Sequence, residues 1–123
     1  MDEQPSPLEQ IRQKLALAIG ENAVFDGWTP PAVDPAADSA GVDRAQARLA
    51  IPKDQAGKID PYIRAVDREL EAWFTPDRLA NLKIREKIRA LVWKRLEIMA
   101  PAREAVRRAL SILAMPQNLS TGM

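Results

Sequence analysis

The stretch Asp34-Pro35-Ala36-Ala37-Asp38-Ser39-Ala40-Gly41-Val42-Asp43-Arg44-Ala45-Gln46-Ala47-Arg48-Leu49-Ala50-Ile51-Pro52 decides the fold. Pro35 breaks a helix that is already running, so the ordered helix is expected to begin near Asp34, with Asp34 as its cap. Gly41 closes that helix in the left-handed conformation. Asp43 then caps a third short helix over about 44–50, which Pro52 ends. Two short helices joined through Gly41-Val42-Asp43 read as a helix-turn-helix unit.

Residues 1–6 upstream read as a disordered lead. Ser6 before Pro7 and Glu9 is a helix start, and Leu8, Ile11, Leu15, Ala18 and Ile19 recur at helical spacing, predicting helix 1 over about 7–22. Phe25 and Trp28, in the turn that follows, are expected as core plugs between helices. Downstream, Asp60-Pro61 is a cap-plus-proline start for a helix of about 60–74. Its Tyr62, Ile63, Val66, Leu70, Trp73 and Phe74 fall within about 120° of the helical wheel. Thr75-Pro76 opens a new segment, and Asn81 is the expected cap of a long helix over about 82–99. There Ile84, Ile88, Leu91, Val92, Ile98 and Met99 share a face expected to pack inward. Trp93 points nearly opposite, toward a second packing element. Arg95 lies inside the apolar stripe, with Asp67 and Glu71 as candidate partners. Ala100-Pro101 changes direction before a last helix of about 101–115. That helix is expected to bury Ala102, Val106, Ala109, Leu110 and Leu113, with Glu104 and Arg108 paired at i,i+4. The reading is all-α: a three-helix helix-turn-helix-like unit over 7–57, then the start of a helical domain over 58–123.

Composition narrows the functions. Of the 123 residues 46% are hydrophobic, but 20 of those are alanines, which favour helix and bury little. Such a chain gains stability from a partner or from further sequence. Net charge is +1, yet residues 1–40 hold seven acidic and two basic side chains, while 78–108 hold ten basic and three acidic. With no cysteine and no histidine, thiol chemistry and the commonest metal ligand and general base are missing from the chain. The acidic start Met1-Asp2-Glu3-Gln4-Pro5 is unlike a targeting signal, so a cytoplasmic setting is expected. No phosphate loop, nucleophile–base pair or metal cluster is present in the pattern, so catalytic residues, metal and cofactor are all expected to be absent.

Phe25-Asp26-Gly27-Trp28-Thr29, the basic amphipathic Lys83-Ile84-Arg85-Glu86-Lys87-Ile88-Arg89-Ala90-Leu91-Val92-Trp93, and Arg107 through Ala114-Met115-Pro116-Gln117-Asn118-Leu119 carry a resemblance. The chain resembles a ubiquinone-biosynthesis accessory family of non-enzymatic lipid-binding proteins with a TetR-like fold. The resemblance covers about Leu8 to Leu119. Family members continue for several more helices, so this chain looks like the N-terminal half, apparently truncated. The resemblance implies binding of an isoprenoid lipid or phospholipid and presentation of quinone intermediates to a partner hydroxylase. It also implies peripheral contact on the inner face of the membrane, through a late amphipathic helix that lies beyond this chain. Trp93, Leu96, Met99, Ile112 and Met115 are the expected wall of the lipid pocket.

Two other readings stand beside it. In a TetR-type DNA-binding regulator, Arg44, Gln46, Arg48 and Lys53 would contact DNA. The third helix of that pattern normally carries a tyrosine and an aromatic–basic tail, where this chain has Ala47, Arg48 and Ile51. The acidic first forty residues disfavour nucleic acid. In a packing-only reading, the apolar faces of 82–99 and 101–115 drive self-association into a homodimer. A basic amphipathic helix with a tryptophan also suits a membrane surface, with binding that weakens in salt.

Overall fold

The computed structural model describes residues 5–115. The expectations placed on residues 1–4 and on Pro116-Gln117-Asn118-Leu119 lie outside them. The chain is all-helical in its regular structure: α1 (Pro7–Asp26), α2 (Val33–Ala40), α3 (Arg44–Ala50), α4 (Ala56–Trp73), α5 (Pro76–Ala80), α6 (Ile84–Met99) and α7 (Arg103–Leu113). Short 3-10 turns at Pro30–Ala32 and Ala100–Ala102 lead into α2 and α7.

Local chemistry sets several of these ends. The Ser6 hydroxyl accepts from the Glu9 N–H at 3.1 Å, with Pro7 in the first turn. Asp43 accepts from Gln46 N–H at 3.2 Å, and Gly41, at φ 70°, ends α2 in the left-handed region where a side chain would be strained. Thr75 caps α5 through Arg78 N–H.

Other ends differ from the sequence reading. Helix α1 runs on to Asp26 because Asn22 does not break it. Its side chain donates to the Ala18 carbonyl at 2.8 Å, and the chain leaves the helix only where Gly27 N–H bonds to Ala23. Asp34 is not a cap: the 3-10 turn delivers the chain to Val33, so Asp34 and Pro35 occupy the first turn of α2, where a missing N–H costs nothing. Nor is Asp60 a cap. Helix α4 starts at Ala56, where Asp54 accepts from Gly57 N–H at 3.1 Å, and Pro61 sits inside the helix. Helix α6 starts at Ile84 after Lys83, not at an Asn81 cap.

Helix α1 is the axis of the core. Helices α2, α3, α4 and α7 all pack against it. Leu15, Ile19 and Ala23 meet Trp28, Ala32, Ala36, Ala37, Ile59, Tyr62, Val66, Ala105 and Ala109 in one cluster, so the core is continuous across residue 57. Its many alanines let the axes approach closely. Gly20 takes this furthest, since a Cβ there would overlap the Tyr62 ring. The Trp28 and Tyr62 rings meet edge-on at 5.5 Å, and the Trp28 indole N–H donates to the Ala105 carbonyl at 2.8 Å, tying α7 to the first loop. Trp28 is thus the core plug the sequence predicts. Phe25 is not: it stands 85% exposed on the last turn of α1.

Helix α6 is built differently. It rests on α4 and on the turn into α7, and none of its residues is fully buried. Arg95 bonds to Asp67 of α4 at 2.8 Å, the first of its two candidate partners. Lys94 and Arg78 lie over the Trp73 ring at 5.0 and 4.7 Å, joining α4, α5 and α6 through cation–π contacts.

Candidate functional site

Four charges pair across the α2–Gly41–α3 segment. Arg48 binds Asp34 and Arg44 binds Asp38, each through two guanidinium nitrogens on two carboxylate oxygens. The hydrogen bond from Arg48 is the largest influence holding the Asp34 carboxyl below its usual range, and Arg44 does the same for Asp38. Two of the proposed DNA contacts are therefore bound to carboxylates of the preceding helix. Gln46 is exposed on α3 beside Ala45 and Leu49, and Lys53 lies in the loop before α4. Apart from its arginine edge that outer face of α3 is uncharged, with Gln46 as its polar group, poor chemistry for a phosphate backbone.

Sequence reasoning missed Lys58. It is almost wholly buried, and its ammonium donates to the carbonyls of Pro52 and Lys53, both at 2.7 Å, and of Asp54 at 3.3 Å. Burial lowers its pKa, with the Asp54 charge opposing. The side chain gathers the α3–α4 loop onto the start of α4. A lysine two residues before the helix's expected start at Asp60 gave no signal of this. Nearby, a concavity of about 420 Å³ between the starts of α1 and α4 is lined by Glu9, Arg12, Asp54, Asp60, Arg64 and Arg68, three charges of each sign.

The expected lipid wall is brought together only in part. Leu96 and Met99 line one groove of about 370 Å³ with Ala100, Arg103 and Val106, at the elbow between α6 and α7. Ile112 instead closes the core and touches a different surface hollow beside Arg107, Arg108 and Ser111. Trp93 and Met115 are exposed and line neither groove. The reason is the orientation of α6. Its inward side carries Lys87, Ala90, Lys94 and Ile98, so of the stripe expected to pack inward only Ile98 and Met99 meet the core, while Ile84, Ile88, Leu91 and Val92 turn outward. Ile84, Ile88, Val92 and Leu96, four residues apart, form a solvent-facing ridge with 76, 58, 55 and 60% exposure. No described element packs on Trp93. Ala102 in the turn before α7 and Ala105, Ala109 and Ile112 on it are buried, while Leu110, expected inside, is exposed. Glu104 pairs with Arg107 at 2.7 Å, not with Arg108.

Among the described residues, no helix is long and apolar enough to cross a membrane, and no acidic cluster is placed to hold a metal ion. No protein-family model, curated protein or solved structure matches the chain.

Proposed function

We propose that this chain is a non-catalytic lipid-binding accessory protein of ubiquinone biosynthesis, with a TetR-like arrangement of its helices. On this reading it holds an isoprenoid lipid or phospholipid and presents quinone intermediates to a partner hydroxylase at the membrane. The observation that carries the reading is the outward apolar flank of α6 with the open Leu96–Met99–Val106 groove at its end. Beside a closed α1-centred core, that flank is an unfinished wall against which an apolar guest gains burial. The Phe25–Thr29 and Lys83–Leu119 resemblances supply the pathway. The test is organic extraction of the purified protein followed by mass spectrometry. Enrichment of isoprenoid or phospholipid over a control protein is expected, and its absence removes the carrier reading.

The TetR-type DNA-binding regulator is the second reading, and it rests on the α2–Gly41–α3 geometry. It requires Arg44 and Arg48 to leave Asp38 and Asp34 for phosphate or base edges, which weakens it.

A further inference from the structure

We infer that the outer face of α6 is a docking surface for an anionic lipid bilayer, with the helix axis lying in the plane of the membrane. This inference does not rest on the carrier reading, because a protein can seat on a bilayer without holding a lipid guest.

The argument begins with the arc of α6 that the body of the protein leaves uncovered. At 100° per residue, Leu91, Ile84, Ile88, Val92, Leu96 and Trp93 follow one another around that arc, with Arg85 and Arg89 between Val92 and Trp93. All six apolar side chains are exposed. The carboxylates of the helix, Glu86 and Glu97, fall at or beyond the edge marked by Trp93. The arc therefore combines apolar side chains with cations and carries no acid in its middle. Among the described residues, Arg85 and Arg89 form no ion pair, whereas Arg95, which falls between Ile84 and Ile88 on the same arc, is engaged by Asp67 of α4.

Charge complementarity selects the occupant. A second copy of this chain would bring four arginines, Arg85 and Arg89 from each, into one small interface whose arc offers no carboxylate in its middle to meet them. An anionic bilayer accepts both kinds of side chain at once. The ridge enters the acyl boundary, while the arginines reach up to lipid phosphates along their aliphatic stems. Shape agrees. The ridge is convex and needs no matching pocket, which a protein partner would have to provide but a fluid interface does not. The Leu96–Met99–Val106 groove begins at Leu96, the last residue of the ridge.

The experiment is co-flotation of the intact chain with vesicles of phosphatidylglycerol and phosphatidylcholine, against vesicles of phosphatidylcholine alone. Partitioning is expected to favour the anionic vesicles by about tenfold or more and to fall as salt rises. Arg89→Gln should cost about fivefold in partitioning, the equivalent of one cation near the surface. Ile88→Asp should abolish binding while circular dichroism and the melting curve stay unchanged. Equal partitioning onto both vesicle types overturns the inference, and so does binding that survives Ile88→Asp. A salt-insensitive dimer in light scattering, lost in Ile88→Asp and accompanied by no vesicle binding, overturns it in favour of a second copy. Lipid found by extraction with no vesicle binding leaves the carrier reading standing and removes this one.

Discussion

Helices α1 and α6 are similar in length, and both carry apolar residues at helical spacing, yet they live in opposite surroundings. Helix α1 has neighbours on several sides and buries Leu15, Ala16, Ile19, Gly20 and Ala23. Helix α6 holds larger apolar side chains and fully buries none of them. Amphipathic spacing states that a helix has a greasy side. It does not state whether the rest of the same chain is what covers it.

The largest effect that tests the contrast is expected at Trp28. Trp28→Ala removes a buried indole from the junction of α1, α4 and α7 and should cost about 3–5 kcal/mol in urea unfolding. A loss below about 1 kcal/mol would mean that the core is not organised around this ring. Lys58→Met keeps the aliphatic stem and deletes the ammonium that binds three carbonyls, with an expected cost of about 2–3 kcal/mol in the same measurement. Gly20→Ala gains helix propensity of about 1 kcal/mol but forces the Tyr62 ring aside at a cost of about 1–3 kcal/mol. Net destabilisation is expected, and a stabilised variant would show that α1 and α4 yield easily.

On the other side of the contrast, Val92→Ser on the α6 ridge should shift stability by no more than about 0.5 kcal/mol. A large loss there would mean that the ridge is covered in solution. The smallest effect belongs to the charged lattice. Asp34 and Asp38 titrate lower in the folded protein than their usual value of 3.8. Their contribution is therefore fully present above that value and is lost as pH falls through the depressed folded values. Asp34→Asn with Asp38→Asn should flatten this acid-side slope and leave neutral-pH behaviour nearly unchanged, because exposed pairs contribute little.

The parts of the molecule legible in the sequence are those fixed within a few residues. Ser6, Asp43 and Thr75 cap helices because their oxygens reach an N–H three positions on, and Gly41 turns the chain because it lacks a side chain. Asp54 is equally local, but Asp60-Pro61 supplied a stronger false start a few residues later. Features fixed by distant partners stayed hidden. Phe25 and Trp28 are three residues apart in one turn, and only the position of α7 decides which of them is buried. The outward roll of α6 depends on α4 accepting Lys87, Ala90, Lys94 and Ile98, and Arg95 meeting Asp67, in place of the more apolar ridge residues. Of the five wall residues expected from sequence, Leu96 and Met99 came together because they flank one elbow, whereas Ile112 was drawn into the core.

The bond between the Trp28 indole and the Ala105 carbonyl spans 77 positions in the chain. A ribosome must release nearly the whole described sequence before that latch can shut. Until then the first helices leave the ribosome without the contact that fixes their central aromatic to α7.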